Sequence, residues 1–167
     1  MTIHRVHESQ PRRGSVLLAA VVLGVGMGAL LDGIVFHRIL GWHHLVSGWT
    51  QDPAANRLAD GLFDAAAWLT TLAGVVLLWR AWRRWGEPRP TSRLAGGMLA
   101  GWGGFSFVES VVDHHVLGLH HVAHDASLAW DLGILLASAA LFLVGVRLAR
   151  RSTKAAREAE RRGVLRA

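Results

Sequence analysis

Cysteine is absent from the 167 residues. That removes disulfides, thiolate metal sites and thiol nucleophiles together. Methionine occurs three times, at Met1, Met27 and Met98, too sparsely for a soft thioether Cu(I) site. Charged residues make up 18% of the chain against 51% hydrophobic, too apolar a balance for an ordinary soluble domain. No serine stands out as a nucleophile. The Gly-x-Gly pieces at Gly24–Gly26 and Gly101–Gly103 follow no strand, so they are not phosphate loops. A net charge of +6 raises the question of nucleic acid. The arginines flank apolar runs, however, and line neither a groove nor a reading helix, which argues against such a partner.

What remains is four long apolar runs, at about 16–40, 62–82, 94–117 and 126–148. Each is long enough to cross a bilayer core, which takes roughly 20 helical residues. Turn residues separate them: Ser47-Gly48 and Asp52-Pro53 after the first, Gly86 to Pro90 after the second. The first run, behind Arg12-Arg13, has the outline of a signal peptide. Its length and the lack of a small-x-small cleavage site oppose that reading. The expected organisation is a cytoplasmic N-terminus (1–15), a four-span domain (16–149) and a basic tail (150–167).

Arginine sets the orientation. Arg5, Arg12 and Arg13 precede the first run. Arg80, Arg83, Arg84, Arg89 and Arg93 lie between the second and third, and Arg147, Arg150 and Arg151 begin the basic stretch after the fourth. The positive-inside rule then puts both termini and the central loop in the cytoplasm. Trp79, Trp82 and Trp85 form an inner aromatic belt, with Trp42, Trp49 and Trp130 as outer candidates. The lipid bilayer is the expected partner, and self-association is compatible with the sequence.

The chain writes one acidic, histidine-rich signature twice. The first copy holds Asp32, His37, Gly41, His43 and His44. The second holds Glu109, His114, Gly118, His120 and His121, each 77 residues later (109 − 32 and 121 − 44 are both 77). Gly24 and Gly26 match Gly101 and Gly103 at the same offset. A repeat of this kind predicts an all-α, integral membrane four-helix bundle made of two parallel-topology two-helix repeats. On the orientation above, both histidine clusters face the extracytoplasmic side.

Carboxylates at membrane depth cost about 2.5–3.5 kcal/mol each on insertion scales. Asp32, Glu109 and Asp113 should therefore point inward and meet a cation, a proton or donors. With His37, His43, His44, His114, His120 and His121 they form a candidate metal-ligating set. Its hardness suits Zn, Fe, Mn or Cu(II). His115, His124, Asp60, Asp64 and Asp131 are the supporting candidates. At 100° per residue, Asp32 shares a helix face with His43, and His37 with His44. Gly41 and Gly118 interrupt that pattern, so the His-His pairs alternatively sit on a turn folded over the helix end. Asp52 and Asp125 read as loop or cap residues.

The signature, together with Asp60-Gly-Leu-Phe, Gly101-Trp-Gly-Gly-Phe and Trp130-Asp-Leu-Gly133, resembles the bacterial predicted-membrane-protein family called domain of unknown function 2243. The likeness covers about 16–148. It implies a four-helix protein of the bacterial inner membrane and assigns no activity. The residues themselves favour a His/carboxylate metal site, serving a membrane oxidoreductase or a metal-handling accessory factor. A haem-binding electron carrier is an alternative, with His37 and His114 as axial ligands, but the surplus carboxylates fit it poorly. A proton or ion pathway is another, weakened because the inner halves hold little polar beyond Thr70 and Thr71. A purely structural polar core is the third.

Overall fold

The computed structural model describes residues 13–83, 91–119 and 128–161. The chain is all-helical over these residues. Its elements are α1 (Arg13–Asp32), α2 (Pro53–Arg83), α3 (Thr91–Glu109) and α4 (Leu128–Arg161). Two π-helical segments follow α1 and α3 without a break: π1 (Gly33–Ile39) and π2 (Ser110–Val116).

Both π segments begin one residue after the acid of the signature, and they stand 77 residues apart (110 − 33). Each closes the same way. The Leu40 amide donates to the Val35 carbonyl and the Leu117 amide to that of Val112, both at 2.8 Å and both five residues back. Gly41 and Gly118 then turn left-handed with φ +58°. The next amide in each copy, from Trp42 and Leu119, reaches six residues back to Phe36 and Asp113. This closure resembles a Schellman cap lengthened by one residue, as the π register requires; it satisfies carbonyls at a helix end and favours glycine.

The helices pack in the order α2, α1, α3, α4, with α1 and α3 as the central pair. Small residues make the contacts. A Cβ on Gly24 would strike the Met98 backbone, and one on Gly101 would strike Val21. These are the same contact seen from each side, since 101 − 24 and 98 − 21 are both 77. The pairings of Gly24 with Met98 and Gly28 with Trp102 make α1 and α3 parallel. Gly74 meets Leu23 while Gly33 meets Asp64, so α2 runs antiparallel to α1, and Gly103 against Phe142 and Gly96 against Ala149 do the same for α4.

Contacts and buried positions on α2 and α4 also match, at an offset of 71. Gly74 sits against Leu23 and Gly145 against Ala100 (145 − 74 is 71; 100 − 23 is 77). Asp60 and Asp131 are buried at matching positions, as are Ala67 and Ser138. Glycine and alanine fill the interfaces while Leu62, Trp68, Leu69, Leu136, Leu143 and others stand exposed. That inversion suits a lipid surround, where close backbone approach, not burial of large side chains, holds helices together.

Two observations bear on the expected spans. The second helix begins at Pro53, nine residues before 62, because Asp52 caps it. Its Oδ1 accepts from the Ala54 amide at 3.0 Å, with proline at the first helical position. Among the described residues, three helical stretches are long and apolar enough to cross a membrane: Ser15–Ile39, Pro53–Arg83 and Ala129–Ser152. The expected span at 94–117 is not among them. Its helix is rich in glycine and ends in Glu109 and Asp113, which lowers its hydropathy.

Candidate metal centre

The π register builds the site. In an α-helix, residues five apart point about 140° away from one another. In a π turn they come into line, because the hydrogen bonds span five residues. Asp32 and His37 are five apart, and His37 Nε2 lies 3.2 Å from Asp32 Oδ2. Asp32 therefore meets His37 along the helix, a neighbour that an uninterrupted α-helix would not put on its face.

His43 reaches the site from the turn instead. Beyond Gly41 the chain reverses and lays His43 back over π1, its ring 4.7 Å edge-on from that of His37. Both imidazoles are buried, with 2% exposure each. Asp32, His37 and His43 each offer a ligating atom, and the three atoms lie within 4.8 Å of one another. The folded-back turn is the arrangement the two glycines anticipated.

Asp60, on α2, organises this cluster. It is 1% exposed and spends both oxygens. Oδ1 accepts from the Leu45 amide at 2.8 Å and faces His37 Nδ1 at 3.2 Å. Oδ2 takes the Nδ1 of His44 at 2.7 Å. His37 and His44 thus converge on one carboxylate, although the turn between them, not a shared helix face, brings them there. Phe63 packs on His37 at 5.5 Å between ring centres and Phe36 stacks on His43 at 6.1 Å.

Asp64 stands apart from the imidazoles. It receives Arg38 through Nε at 3.2 Å and a terminal guanidinium nitrogen at 3.0 Å. This pair fixes π1 to α2 on the more exposed side. Arg38 has no histidine counterpart role here, even though His115 occupies its place in the repeat.

The second half contributes acids. Glu109, on α3, lies within hydrogen-bonding reach of Asp32, so the two matched carboxyls of the repeat meet between the central helices. Asp113 follows one turn on, within electrostatic range of Asp32. Asp131 is buried on α4. His120, His121, His124 and Asp125 lie outside the described residues, and only the backbone is described at His114 and His115.

A cavity of about 300 Å³ adjoins the cluster. It lies over α3, between α1 and α4, and meets Asp32, His43 and Glu109. Ser106, Ser110 and Ser138 also line it. These hydroxyls escaped the sequence reading because they have no partner in the repeat: Ser106 corresponds to Ala29, Ser110 to Gly33 and Ser138 to Ala67. That asymmetry was itself the available signal.

The model of a family described as "Predicted membrane protein (DUF2243)" matches residues 19–152, from α1 well into α4. No curated protein matches the chain. No solved structure matches it either.

Proposed function

The chain belongs to the DUF2243 family of predicted membrane proteins, and from that premise we propose that it holds a divalent transition metal at Asp32, His37 and His43. Four spans, two repeats and cytoplasmic termini complete the reading, with the site on the extracytoplasmic side of a bacterial inner membrane. The observation that carries it is the convergence of three ligating atoms within 4.8 Å at a buried spot. Ligands of a tetrahedral metal with bonds near 2.0–2.1 Å stand about 3.3 Å apart, so binding draws the three together.

The surroundings suit a metal. A metal-bound imidazole donates its other nitrogen to a carboxylate, which fixes its tautomer and raises its basicity. Asp60 is placed to do this for His37, through Nδ1 at 3.2 Å. Three protein ligands leave a position for water or substrate, as in catalytic zinc sites. Imidazole and carboxylate suit Zn, Fe, Mn or Cu(II), in the service of an oxidoreductase or a metal-handling factor. Glu109, Asp113, His114, His120 and His121 form the matching donor set of the second half, with Asp131 as the counterpart of Asp60.

Elemental analysis of the purified full chain tests this. One or two equivalents of a transition metal per chain are expected, falling by at least one in His37→Ala and His43→Ala. Protein that takes up no metal after equilibration with Zn²⁺, Mn²⁺, Fe²⁺ or Cu²⁺ would overturn the proposal. A visible spectrum of the same sample reads out haem directly.

A further inference from the structure

The two halves of the molecule differ where their repeat would make them alike. The cavity over α3 is lined by Gly28 from α1 and Ile134 from α4. The offset of 77 carries Gly28 onto Phe105, and the offset of 71 carries Ile134 back onto Phe63 (105 − 28 and 134 − 63). On that other side Phe63 and Phe105 pack together, 6.3 Å between ring centres. Two phenyl rings occupy the corresponding place. On the cavity side a glycine and an aliphatic chain stand instead, and a space remains.

The walls of that space define what it takes. Leu31, Phe36, Trp102 and Leu141 make it largely apolar. A cavity of half this volume, lined by apolar groups, holds a benzene ring. One end is polar, and its carboxyls and hydroxyls are grouped there. Glu109 Oε1 is a buried acceptor with no hydrogen-bond partner among the described residues. Buried acceptors of this kind call for a donor. Leu31 and Ala137, on the rim, are exposed on the apolar outer surface, so a ligand dissolved in the bilayer can reach the space.

We infer that the cavity between α1, α3 and α4 binds a single-ring aromatic alcohol, its ring between Phe36 and Trp102 and its hydroxyl donated to Glu109. An acyl chain would fill the volume and leave the acceptor unpaired. The inference does not depend on a metal at Asp32, His37 and His43, although a ligand bound here lies beside them.

The test uses the full chain in lipid nanodiscs, stripped with EDTA, and fluorine NMR of 4-(trifluoromethyl)phenol. Empty nanodiscs give the baseline for partitioning. Saturable binding at about 1 mM or tighter is expected for so small a ligand. 4-(Trifluoromethyl)toluene, which lacks the hydroxyl, should bind at least tenfold more weakly. Ile134→Phe rebuilds the phenyl of the other half, and Ala137→Phe intrudes from the rim; each should weaken binding at least tenfold with helicity retained. No saturable signal above empty discs overturns the inference. Equal binding of the toluene, or undiminished binding in a folded variant, does the same. Because the metal is removed throughout, a failed metal assignment leaves this result untouched.

Discussion

Asp60 shows how much one side chain is asked to do. Its two oxygens meet a backbone amide and two imidazoles from a different element, so it locks the turn after π1 to α2 and sets the tautomers of His37 and His44. Asp60→Ala should lower metal affinity about 10- to 100-fold, the usual effect of losing a carboxylate behind a ligand histidine. Asp60→Asn keeps an acceptor for Leu45 but turns an amide N–H toward the imidazoles. It should cost similar affinity with less loss of fold. Competition with a chromophoric chelator reads the first quantity, and thermal unfolding in detergent the second. Glycines give a second contrast at this scale. Gly41 has φ +58° with open space around it, so Gly41→Ala should destabilise by about 1–2 kcal/mol through backbone strain alone. Gly61 also has open space but sits in regular helix, and Gly61→Ala should stabilise by about 0.5–1 kcal/mol. Equal signs in thermal unfolding would refute the distinction.

At the scale of the element, the π segments are the decisive feature. A π segment is an α-helix carrying an inserted residue. Removing one residue of π1 beyond His37 should therefore restore α geometry while Asp32 and His37 stay five apart, and so swing His37 away from Asp32. Deletion of Ile39, an exposed position beyond His37, should leave circular dichroism unchanged and abolish binding of one metal equivalent. Retained metal would show that the register is incidental. The sequence displayed the helices, the doubled signature and the glycine turns openly, because apolar length, repetition and glycine are all written in residue types. It also displayed Asp32 and His37 as candidates. Their pairing was hidden, because a shift from four- to five-residue hydrogen bonding changes no composition. The one trace is the spacing of five in both Asp32 to His37 and Glu109 to His114. The centrality of Asp60 was hidden for a different reason: it depends on how α2 slides along α1, which the close contacts of Gly74 with Leu23 and Gly26 with Thr71 determine.

At the scale of the whole molecule, the placement of α3 decides the topology. By composition α3 falls short of the other three helices. Its neighbours supply what it lacks. Packed between α1 and α4, and parallel to α1 along Gly97, Gly101 and Trp102, it shares the depth of a helix that is apolar enough to span. Its acid, Glu109, meets Asp32 and so is turned toward protein, where a polar group is tolerated. Charge points the same way. Were α3 to lie on the surface, only three helices would cross, and Arg150, Arg151, Lys154, Arg157 and Arg161 would end outside, against the positive-inside rule. Reporter fusions after positions 50, 86, 119 and 161 separate the two cases. Four crossings predict outside, inside, outside, inside for fusions to alkaline phosphatase, active only outside, and to a fluorescent protein, bright only inside. Three crossings predict outside, inside, inside, outside. The fusion after 161 carries α1 to α4 and with them the packing of α3 against α4, so a fluorescent fusion there is the expected result, and phosphatase activity would break the four-span reading.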